Sequence, residues 1–261
     1  MVTIRSLAET LLKDRVRRRA LPVEFSSAPI YMSAAAGLGA ILKLVDQVDP
    51  VLLRTAALLV RRVDIVWDIG GNIGLFSIAA AVRAGSTGQV FAFEPDPMLI
   101  QLLRASARLQ SSSTAPISVI PAAVADTVGV RDFWIAKRAR SSNALAGHGL
   151  TQMGGVRETI SVVTLTIDDC LAWLPRPTLL RVDIEGAEFQ ALSSATELLS
   201  APYPTLICEV AGANAERVTD LLRSAGFRLY DPSRPNPLAR EIEVATPDTI
   251  AIHDDNAALY H

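Results

Sequence analysis

Cysteine is scarce in this sequence, which has only Cys170 and Cys208 among its 261 residues. The two lie far apart and match no C-x-x-C spacing, so neither a cysteine metal site nor a dithiol redox motif is indicated. Each lies in an apolar stretch, where an unpaired cysteine behaves as a small buried hydrophobic residue. We therefore expect two buried, reduced thiols and a cytoplasmic protein, since disulfides are rare in that compartment.

Net charge is also small, because 25 Lys and Arg residues are balanced by 27 Asp and Glu residues, which leaves −2. A protein that binds nucleic acid by covering phosphates needs a basic face, so this balance argues against a nucleic-acid partner. Half of the residues are hydrophobic, which is enough for a full core and excludes a disordered or coiled-coil chain. The length fits one large domain, or one domain with an appendage, that binds a small molecule.

The sequence lacks a convincing membrane segment. The uncharged run Phe25–Leu42 approaches the roughly 20 residues that a spanning helix needs, but it contains Pro29, two glycines and several serines. We interpret it as a loop that leads into a buried helix, and we expect no stable membrane insertion. Met1–Leu21 is basic and has no apolar core before a cleavage site, so we expect no signal peptide.

The first 62 residues are predicted to be mainly helical. From Thr3 to Arg19, apolar residues recur at helical spacing beside a basic face, which indicates an amphipathic helix. Leu38–Leu59 is predicted to be further helix, interrupted at Pro50. We expect residues 1–62 to form a helical cover region, whose surface could also join two copies of the chain in a homodimer.

Beyond Arg62, short runs of branched apolar residues alternate with helical patterns. This rhythm is typical of a parallel sheet covered by helices, so the predicted fold class is α/β, with a doubly wound and mostly parallel sheet over residues 63–261. The predicted strands are Val63–Ile69, Gln89–Phe93, Ile117–Pro121, Val130–Ala136, Ile160–Leu165, Leu179–Ile184, Thr205–Val210, Phe227–Tyr230 and Thr249–His253. The predicted helices are Ile73–Arg83, Met98–Gln110, Ile167–Trp173, Glu188–Leu199 and Ala215–Ala225.

A glycine-rich turn follows the first of these strands. The strand ends at Asp68 and a helix begins near Ile73, so a ligand could approach both the backbone and the helix N-terminus. A dinucleotide fingerprint, Gly-x-Gly-x-x-Gly starting at Gly70, would require glycine where the chain has Asn72. We expect the Asp68 carboxylate to face the crevice, where it would repel a pyrophosphate and attract an ammonium or a sulfonium. S-adenosylmethionine has both of these cations and no phosphate, and it is therefore the expected ligand.

The second strand ends at Glu94, 20 positions beyond Gly74, the last glycine of the turn. That separation is typical of an acidic residue that accepts hydrogen bonds from the two hydroxyls of a ribose. Asp96 is expected instead to cap the helix that follows.

A third group of acidic residues follows the buried strand that ends near Ile184. Alternation along the strand puts Asp183 and Glu185 on one face at its carboxyl end, the ligand-binding edge of such a sheet, and Glu188 in the first turn of the next helix. Several carboxylates at one strand end repel each other unless a ligand, a cation or a shared proton is present. A divalent cation held by Asp183, Glu185 and Glu209 would suit this chemistry, but no ligand spacing demands one and we predict none.

One long polar interval, Lys137–Glu158, separates two of the predicted strands. It is rich in glycine and has no periodicity of its own, as in many functional lids. We expect Arg138–Arg157 to close over the substrate and to determine which substrate is accepted. The alternative is that this segment is only a surface connection between two strands. His148 lies in this loop and joins Asp183 and Glu185 as a candidate for catalytic proton transfer.

Together these segments resemble the FkbM family of S-adenosylmethionine-dependent methyltransferases. The resemblance rests on Asp68–Phe76, Phe93–Pro95, Ala122–Asp126, Thr164–Asp168 and above all Val182–Glu188. It implies a Rossmann-like class I methyltransferase fold behind the N-terminal helical extension. Arg181 departs from the family, in which lysine is frequent at this position, and an arginine cannot serve as a base near neutral pH.

The resemblance also implies a donor-binding set. The residues that would contact the methionine half of the donor are Asp68, Gly70, Asn72 and Gly74. Glu94 would contact the ribose. The backbone around Ala123 and the side chain of Asp126 would contact the adenine.

Family members that act on small molecules mostly methylate hydroxyls, so the resemblance implies O-methylation of a sugar, a glycolipid or a natural product. In-line attack on the sulfonium methyl requires alignment of donor and acceptor, and the alcohol must lose its proton. We expect Asp183 to orient the hydroxyl and to help remove that proton. Two other classes stay open: a non-catalytic module that binds an adenosine nucleoside, and an NAD-dependent oxidoreductase, which Asn72 and Asp68 disfavour.

Overall fold

The computed structural model describes residues 15–37, 39–149, 154–200, 202–210 and 212–260. Thirteen strands lie within these ranges. They are β1 (Val16–Ala20), β2 (Pro29–Ser33), β3 (Ile65–Ile69), β4 (Gln89–Phe93), β5 (Ile117–Ile120), β6 (Ala123–Val124), β7 (Gly129–Ala136), β8 (Ala144–Leu145), β9 (Val156–Leu165), β10 (Leu179–Val182), β11 (Thr205–Glu209), β12 (Phe227–Tyr230) and β13 (Asp248–His253).

The helices in the same ranges are short. They are α1 (Gly39–Leu42), α2 (Pro50–Leu59), α3 (Leu75–Ala84), α4 (Pro97–Ala107), α5 (Ile167–Leu171), α6 (Glu188–Ser193) and α7 (Ala215–Ser224). Pro50 is the first residue of α2 and Asp49 caps it by accepting the Leu52 N–H at 2.9 Å, which explains the predicted interruption. None of these helices combines the length and apolar character needed to cross a bilayer.

Seven strands form the central sheet, in the order β12-β13-β11-β10-β3-β4-β5. The five strands from β11 to β5 are parallel, and β13 is antiparallel to both of its neighbours. Along the chain, the first strand of this sheet is β3, in the middle. The next two, β4 and β5, lie on one side of it, and the later strands, starting with β10, lie on the other side. The order therefore reverses between β3 and β10, and ligands bind at such a reversal, beyond the carboxyl ends of the strands.

Side chains on the two faces of the central sheet enter two different cores. Val66 packs with α2, α3 and α4, whereas its neighbour Trp67 packs with α5, α6 and α7. Because both faces are covered, the central strands are mostly apolar, with Asp68 in β3 and Arg181 in β10 as buried charged exceptions. The predicted α/β class, with a doubly wound and mostly parallel sheet, is confirmed. Cys170 and Cys208 are unpaired and buried in the second core, as expected.

A smaller sheet contains β6, β9, β7 and β8, in that order. The predicted strands β7 and β9 are present and pair antiparallel, although β9 begins at Val156 rather than Ile160. The predicted loop between them is partly structured, since it contains a 3₁₀ turn at Arg140–Ser142 and the short strand β8, which pairs with β7. Residues 150–153 of this loop lie outside the described ranges.

The described N-terminal residues differ from the helical prediction. Val16–Ala20, expected to end an amphipathic helix, forms β1 and pairs antiparallel with β2. The strand β2 falls within the segment predicted as a loop leading into a helix, and its alternating Ile30 and Met32 are fully buried in the first core. A buried strand needs a backbone partner, and β1 supplies one at its edge. The rest of that predicted helix, residues 3–14, lies outside the described ranges.

Candidate functional site

The turn between β3 and α3 has a shape that requires glycine. Gly70 has φ +86° and Asn72 has φ +50°, both in the left-handed region. A Cβ on Gly70 would lie 1.8 Å from the carbonyl oxygen of Asp183, so only glycine lets the turn pack against the end of β10. The N–H groups of Gly70 and Gly71 donate to the carbonyl of Phe93, at 3.0 and 2.9 Å. The ends of β3, β4 and β10 are thereby held at one place.

Two cavities open at this edge of the sheet. The first, which we call cavity A, lies among the ends of β3 and β4, residues 122–124, residues 140–145 and residues 183–185. Four members of the predicted donor-binding set line it. They are Gly70, Asn72, Glu94 and Ala123.

The second cavity, which we call cavity B, lies between this edge and the N-terminal region. Residues 36, 37, 39 and 40 and residues 48–52 form one wall, and the charged lining of the cavity consists of Asp49, Arg181, Asp183, Glu185 and Glu209. Four residues line both cavities: Asn72, Ser141, Asp183 and Glu185. A molecule in cavity A and a molecule in cavity B would therefore meet at these four side chains.

Glu94 is buried in the wall of cavity A. Its two carboxylate oxygens accept N–H bonds from Asn72 and Asp96, each at 2.8 Å. Burial raises the pKa of Glu94 to about 8, although the same two N–H donors act to lower it. Each oxygen keeps a further lone pair for a ligand hydroxyl, which is compatible with the predicted ribose contact.

Asp68 does not face the crevice, contrary to the expectation from sequence. Its side chain is fully buried, and its oxygens accept hydrogen bonds from Arg181 Nη1, at 2.8 Å, and from the Ser77 hydroxyl. Arg181 and Asp68 are neighbours in the β10–β3 ladder, so strand register creates this pair. With its charge balanced by Arg181 and no surface in cavity A or B, Asp68 neither attracts a sulfonium directly nor repels a pyrophosphate.

The same arginine also holds Asp183. Arg181 Nη2 donates to the Asp183 carboxylate, and Nη1 donates to the carbonyl of Gly70 at 3.2 Å. Burial acts to lower the pKa of Arg181, but the Asp183 and Asp68 carboxylates together raise it above its ordinary value. The guanidinium is therefore a fixed cation that orients Asp183 at the boundary between the cavities.

Asp183 belongs to a cluster of three carboxylates. Oxygen atoms of Asp183, Glu185 and Glu209 all lie within 4.8 Å of one another. Burial, with a smaller contribution from the Asp183 charge, raises the pKa of Glu185 to about 8 and that of Glu209 to about 9. Oxygen atoms at this spacing can share protons, and they are also the ligand type that a hard divalent cation prefers.

Three other predicted site residues lie away from cavities A and B. Gly74 is the N-cap of α3, where a Cβ would meet Leu103 at 3.1 Å, so it allows close helix packing, and its contact with the donor stays a prediction. Asp126 is exposed and forms an ion pair with Arg131 at 2.7 Å, and its contact with adenine stays a prediction. His148 lines a separate cavity that also borders the carboxylate cluster, and its catalytic role stays a prediction.

The loop between β7 and β9 supplies contacts that sequence patterns did not reveal. Ser141 lines both cavities, and the side chains of Arg140 and Asn143 donate to the buried carboxylate of Asp96. Asp96 caps α4 as predicted, by accepting the Met98 N–H at 2.8 Å. The sequence around Asp96 gives no indication that it also binds the loop, because Arg140 is 44 positions away along the chain.

Comparison with known proteins identifies a family. The sequence model of the Methyltransferase FkbM domain matches residues 68–229, which is more than half of the chain. The hexuronic acid methyltransferase AglP of Haloferax volcanii is 27% identical over 164 residues, and this match spans 62% of the length of each protein.

Similar solved structures include two methyltransferases. Methyltransferase FkbM from Methylobacillus flagellatus KT has a TM-score of 0.46 at 15% identity, over 72% of this chain and 43% of that one. The SAM-dependent methyltransferase from Agrobacterium tumefaciens has a TM-score of 0.49 at 13% identity, over 90% of this chain and 69% of that one.

The buried acids predict how stability depends on pH. Glu94, Glu185 and Glu209 have folded-state pKa values of about 8, 8 and 9, above the value of 4.5 that is usual for an exposed glutamate. At a pH between the unfolded and folded pKa values of these glutamates, the folded chain binds more protons than the unfolded chain. The free energy of unfolding should therefore fall as pH rises from about 5 to 9. Urea unfolding at pH 6, 7, 8 and 9 measures this slope.

The variant Glu209→Gln should flatten that slope between pH 7 and 9, because its side chain cannot ionise. Glu241→Gln is the matched control, since Glu241 is an exposed acid that pairs with Arg228 on the surface. A free energy of unfolding that stayed constant or rose over this range would contradict the burial of ionisable acids at the site.

Proposed function

This chain belongs to the FkbM family of methyltransferases, and we propose that it transfers the methyl group of S-adenosylmethionine to a hydroxyl of a small molecule such as a sugar, a glycolipid or a natural product. One observation carries this proposal. Cavities A and B open at the carboxyl edge of the sheet and share Asn72, Ser141, Asp183 and Glu185. Methyl transfer needs two bound molecules that meet end to end, and alignment is the largest contribution that a protein can make to it.

Cavity A is the proposed donor site. Glu94 lies in its wall with free lone pairs for the ribose hydroxyls, and the backbone around Ala123 provides a place for adenine. Gly70 and Asn72 line the end nearest Asp183, where the methionine half would lie. The donor's cationic centre would then be close to the Asp183 carboxylate, which compensates for the buried and paired charge of Asp68.

Cavity B is the proposed acceptor site. An acceptor hydroxyl there would reach the donor methyl at the Asp183 carboxylate. Arg181 orients this carboxylate from one side, and Glu209, which hydrogen bonds to it, lies on the other. Asp183 can therefore accept the hydroxyl proton during attack and release it to solvent when the product leaves. Glu185 and Glu209, whose raised pKa values of about 8 and 9 keep them mostly protonated near neutral pH, do not take up that proton.

This mechanism assigns Asp183 to proton transfer and requires no divalent cation. We further propose that residues 63–261 form the methyltransferase domain and that residues 1–62 cover it, with residues 36–52 closing cavity B. The two buried, unpaired cysteines support a cytoplasmic location. A homodimer through the N-terminal region stays a prediction.

The variant Asp183→Asn tests the proposed base. It should retain donor affinity within about threefold and lower turnover by about a hundredfold or more, the low end for loss of a general base. Calorimetric titration with S-adenosylhomocysteine and transfer of a labelled methyl group into a cell extract measure the two quantities. Asp132→Asn, a change at an exposed residue of β7, is the control. Turnover close to that of the wild type would remove Asp183 from this role.

Acceptor charge should also determine activity. Four acids line cavity B, and the one cation among its described lining residues, Arg181, already donates to Asp68 and Asp183. A carboxylate on the acceptor would have no counter-ion there, in contrast to the hexuronic acid in the name of the Haloferax relative. We therefore expect neutral or ammonium-bearing acceptors.

Three pyranosides that differ only at C6, with a hydroxymethyl, aminomethyl or carboxylate group, test this expectation. The first two should exceed the carboxylate form in kcat/KM by about tenfold or more, the effect of roughly 1.4 kcal/mol. Asp49→Asn should narrow the gap, because it removes one acid from cavity B while asparagine still caps α2. A carboxylate acceptor that was preferred by the wild type would overturn the assignment of cavity B.

A further inference from the structure

Asp96 makes more contacts than a helix cap requires. Its carboxylate is fully buried, and one oxygen, Oδ1, accepts the Met98 N–H at the start of α4. The other oxygen, Oδ2, accepts from two side chains of the β7–β9 loop. These donors are Arg140 Nη1 and Asn143 Nδ2, the latter at 2.7 Å. A single carboxylate therefore joins α4 to a loop that lies more than 40 positions away.

The loop residues next to these donors form part of cavity A. Ser141 and Leu145 line it together with Arg140 and Asn143, and Ser141 also reaches cavity B. Asn143 is fixed on its other side, because its Oδ1 accepts the Ala136 N–H at 2.8 Å, at the end of β7. Residues 140–145 are therefore held against the cavity from two directions, and Asp96 provides the attachment on the α4 side.

Asp96 is also joined to the residue proposed to bind ribose. The Asp96 N–H donates to Glu94 Oε1 at 2.8 Å, while Glu94 Oε2 accepts the Asn72 N–H at the glycine turn. The same short segment, Glu94–Asp96, thus contacts the turn, the wall of cavity A and the loop. A shift of Asp96 would disturb all three at once, because the segment is buried and close-packed.

We propose that Asp96 is a positioning residue of the donor site, which holds residues 140–145 over cavity A so that the donor and its product exchange only when the Asp96–Arg140 and Asp96–Asn143 bonds open. This inference rests on the proposed function, since it takes cavity A to be the donor site. Hydrogen bonds to a buried charged group are among the strong ones, and two of them converge on one oxygen here.

The variant Asp96→Asn separates the cap from the loop attachment. Asparagine caps a helix about as well as aspartate, so the bond to Met98 is kept. Its amide NH₂ replaces the oxygen that accepts from Arg140 and Asn143, so both loop bonds are lost. We expect the dissociation constant and the off-rate of S-adenosylhomocysteine to rise about tenfold or more. The urea midpoint should also fall, since two bonds to a buried charged group are lost.

A swapped pair gives the sharper test. In the double variant Asp96→Asn, Asn143→Asp, the amide at 96 can donate to a carboxylate at 143, which still accepts the Ala136 N–H and can pair with Arg140. Donor affinity should return to within about threefold of the wild type, which a purely structural role of Asp96 would not produce. Asp231→Asn is the matched control, since Asp231 also accepts a turn N–H and pairs with an arginine, Arg234.

Limited trypsin digestion adds a readout that needs no ligand. Cleavage after Arg138 or Arg140, mapped by mass spectrometry, should be faster in Asp96→Asn than in the wild type and slow again in the swapped pair. Unchanged cleavage and unchanged affinity in Asp96→Asn would overturn the inference. Wild-type protein that fails to bind S-adenosylhomocysteine would instead overturn the proposed function, whatever the digestion shows.

Discussion

The buried guanidinium of Arg181 lies between two carboxylates, Asp68 on β3 and Asp183 beyond β10, and the site is arranged around it. The parallel register of β10 on β3 places Arg181 beside Asp68, so the pair forms wherever these two strands meet. Breaking such a pair leaves an uncompensated buried charge and costs about 3–5 kcal/mol. The interaction therefore ties β3 to β10 at the topological reversal point of the sheet and orients the Asp183 carboxylate, the proposed base.

That arrangement lets several acids gather at one strand end. Arg181 balances part of the charge of Asp68 and Asp183, and the raised pKa values of Glu185 and Glu209 show that the remaining charge is costly in this buried position. Such acids are mostly protonated near neutral pH, so they can donate hydrogen bonds within the cluster but cannot take up the proton of an attacking hydroxyl. Their burial lowers the stability of the chain as pH rises, and perturbed acids of this kind are common at catalytic sites.

The central sheet could be predicted because each of its strands is a short apolar run between recognisable turns. The site residues at strand ends, including Gly70, Glu94 and Asp183, could be predicted for the same reason, since strand ends in a parallel sheet meet at one edge. The orientation of Asp68 could not, because its partner Arg181 lies 113 positions away and only register brings the two together.

For residues 16–20 the helical prediction is wrong for a different reason. Helical spacing carries no information about β2, which has buried Ile30 and Met32 and needs a neighbouring strand. The loop contacts of Asp96 with Arg140 and Asn143 were equally inaccessible, since polar residues in a glycine-rich interval show no periodicity from which a docking position could be read. Sequence patterns report on segments that pack as regular elements, and they are silent about single polar contacts between distant segments.

The central claim is that cavity A holds the methyl donor, and ligand selectivity tests it most directly. Thermal unfolding of the wild-type chain should be followed with S-adenosylmethionine, S-adenosylhomocysteine and NAD at equal concentrations, because a ligand that binds only the folded state raises the unfolding temperature. The account predicts a saturable increase with the first two ligands and none with NAD, together with methyl transfer to a hydroxyl acceptor. An increase in unfolding temperature with NAD alone would contradict the assignment of cavity A as the donor site. Binding of S-adenosylmethionine without methyl transfer to any acceptor would contradict the methyltransferase activity and favour a non-catalytic nucleoside-binding module.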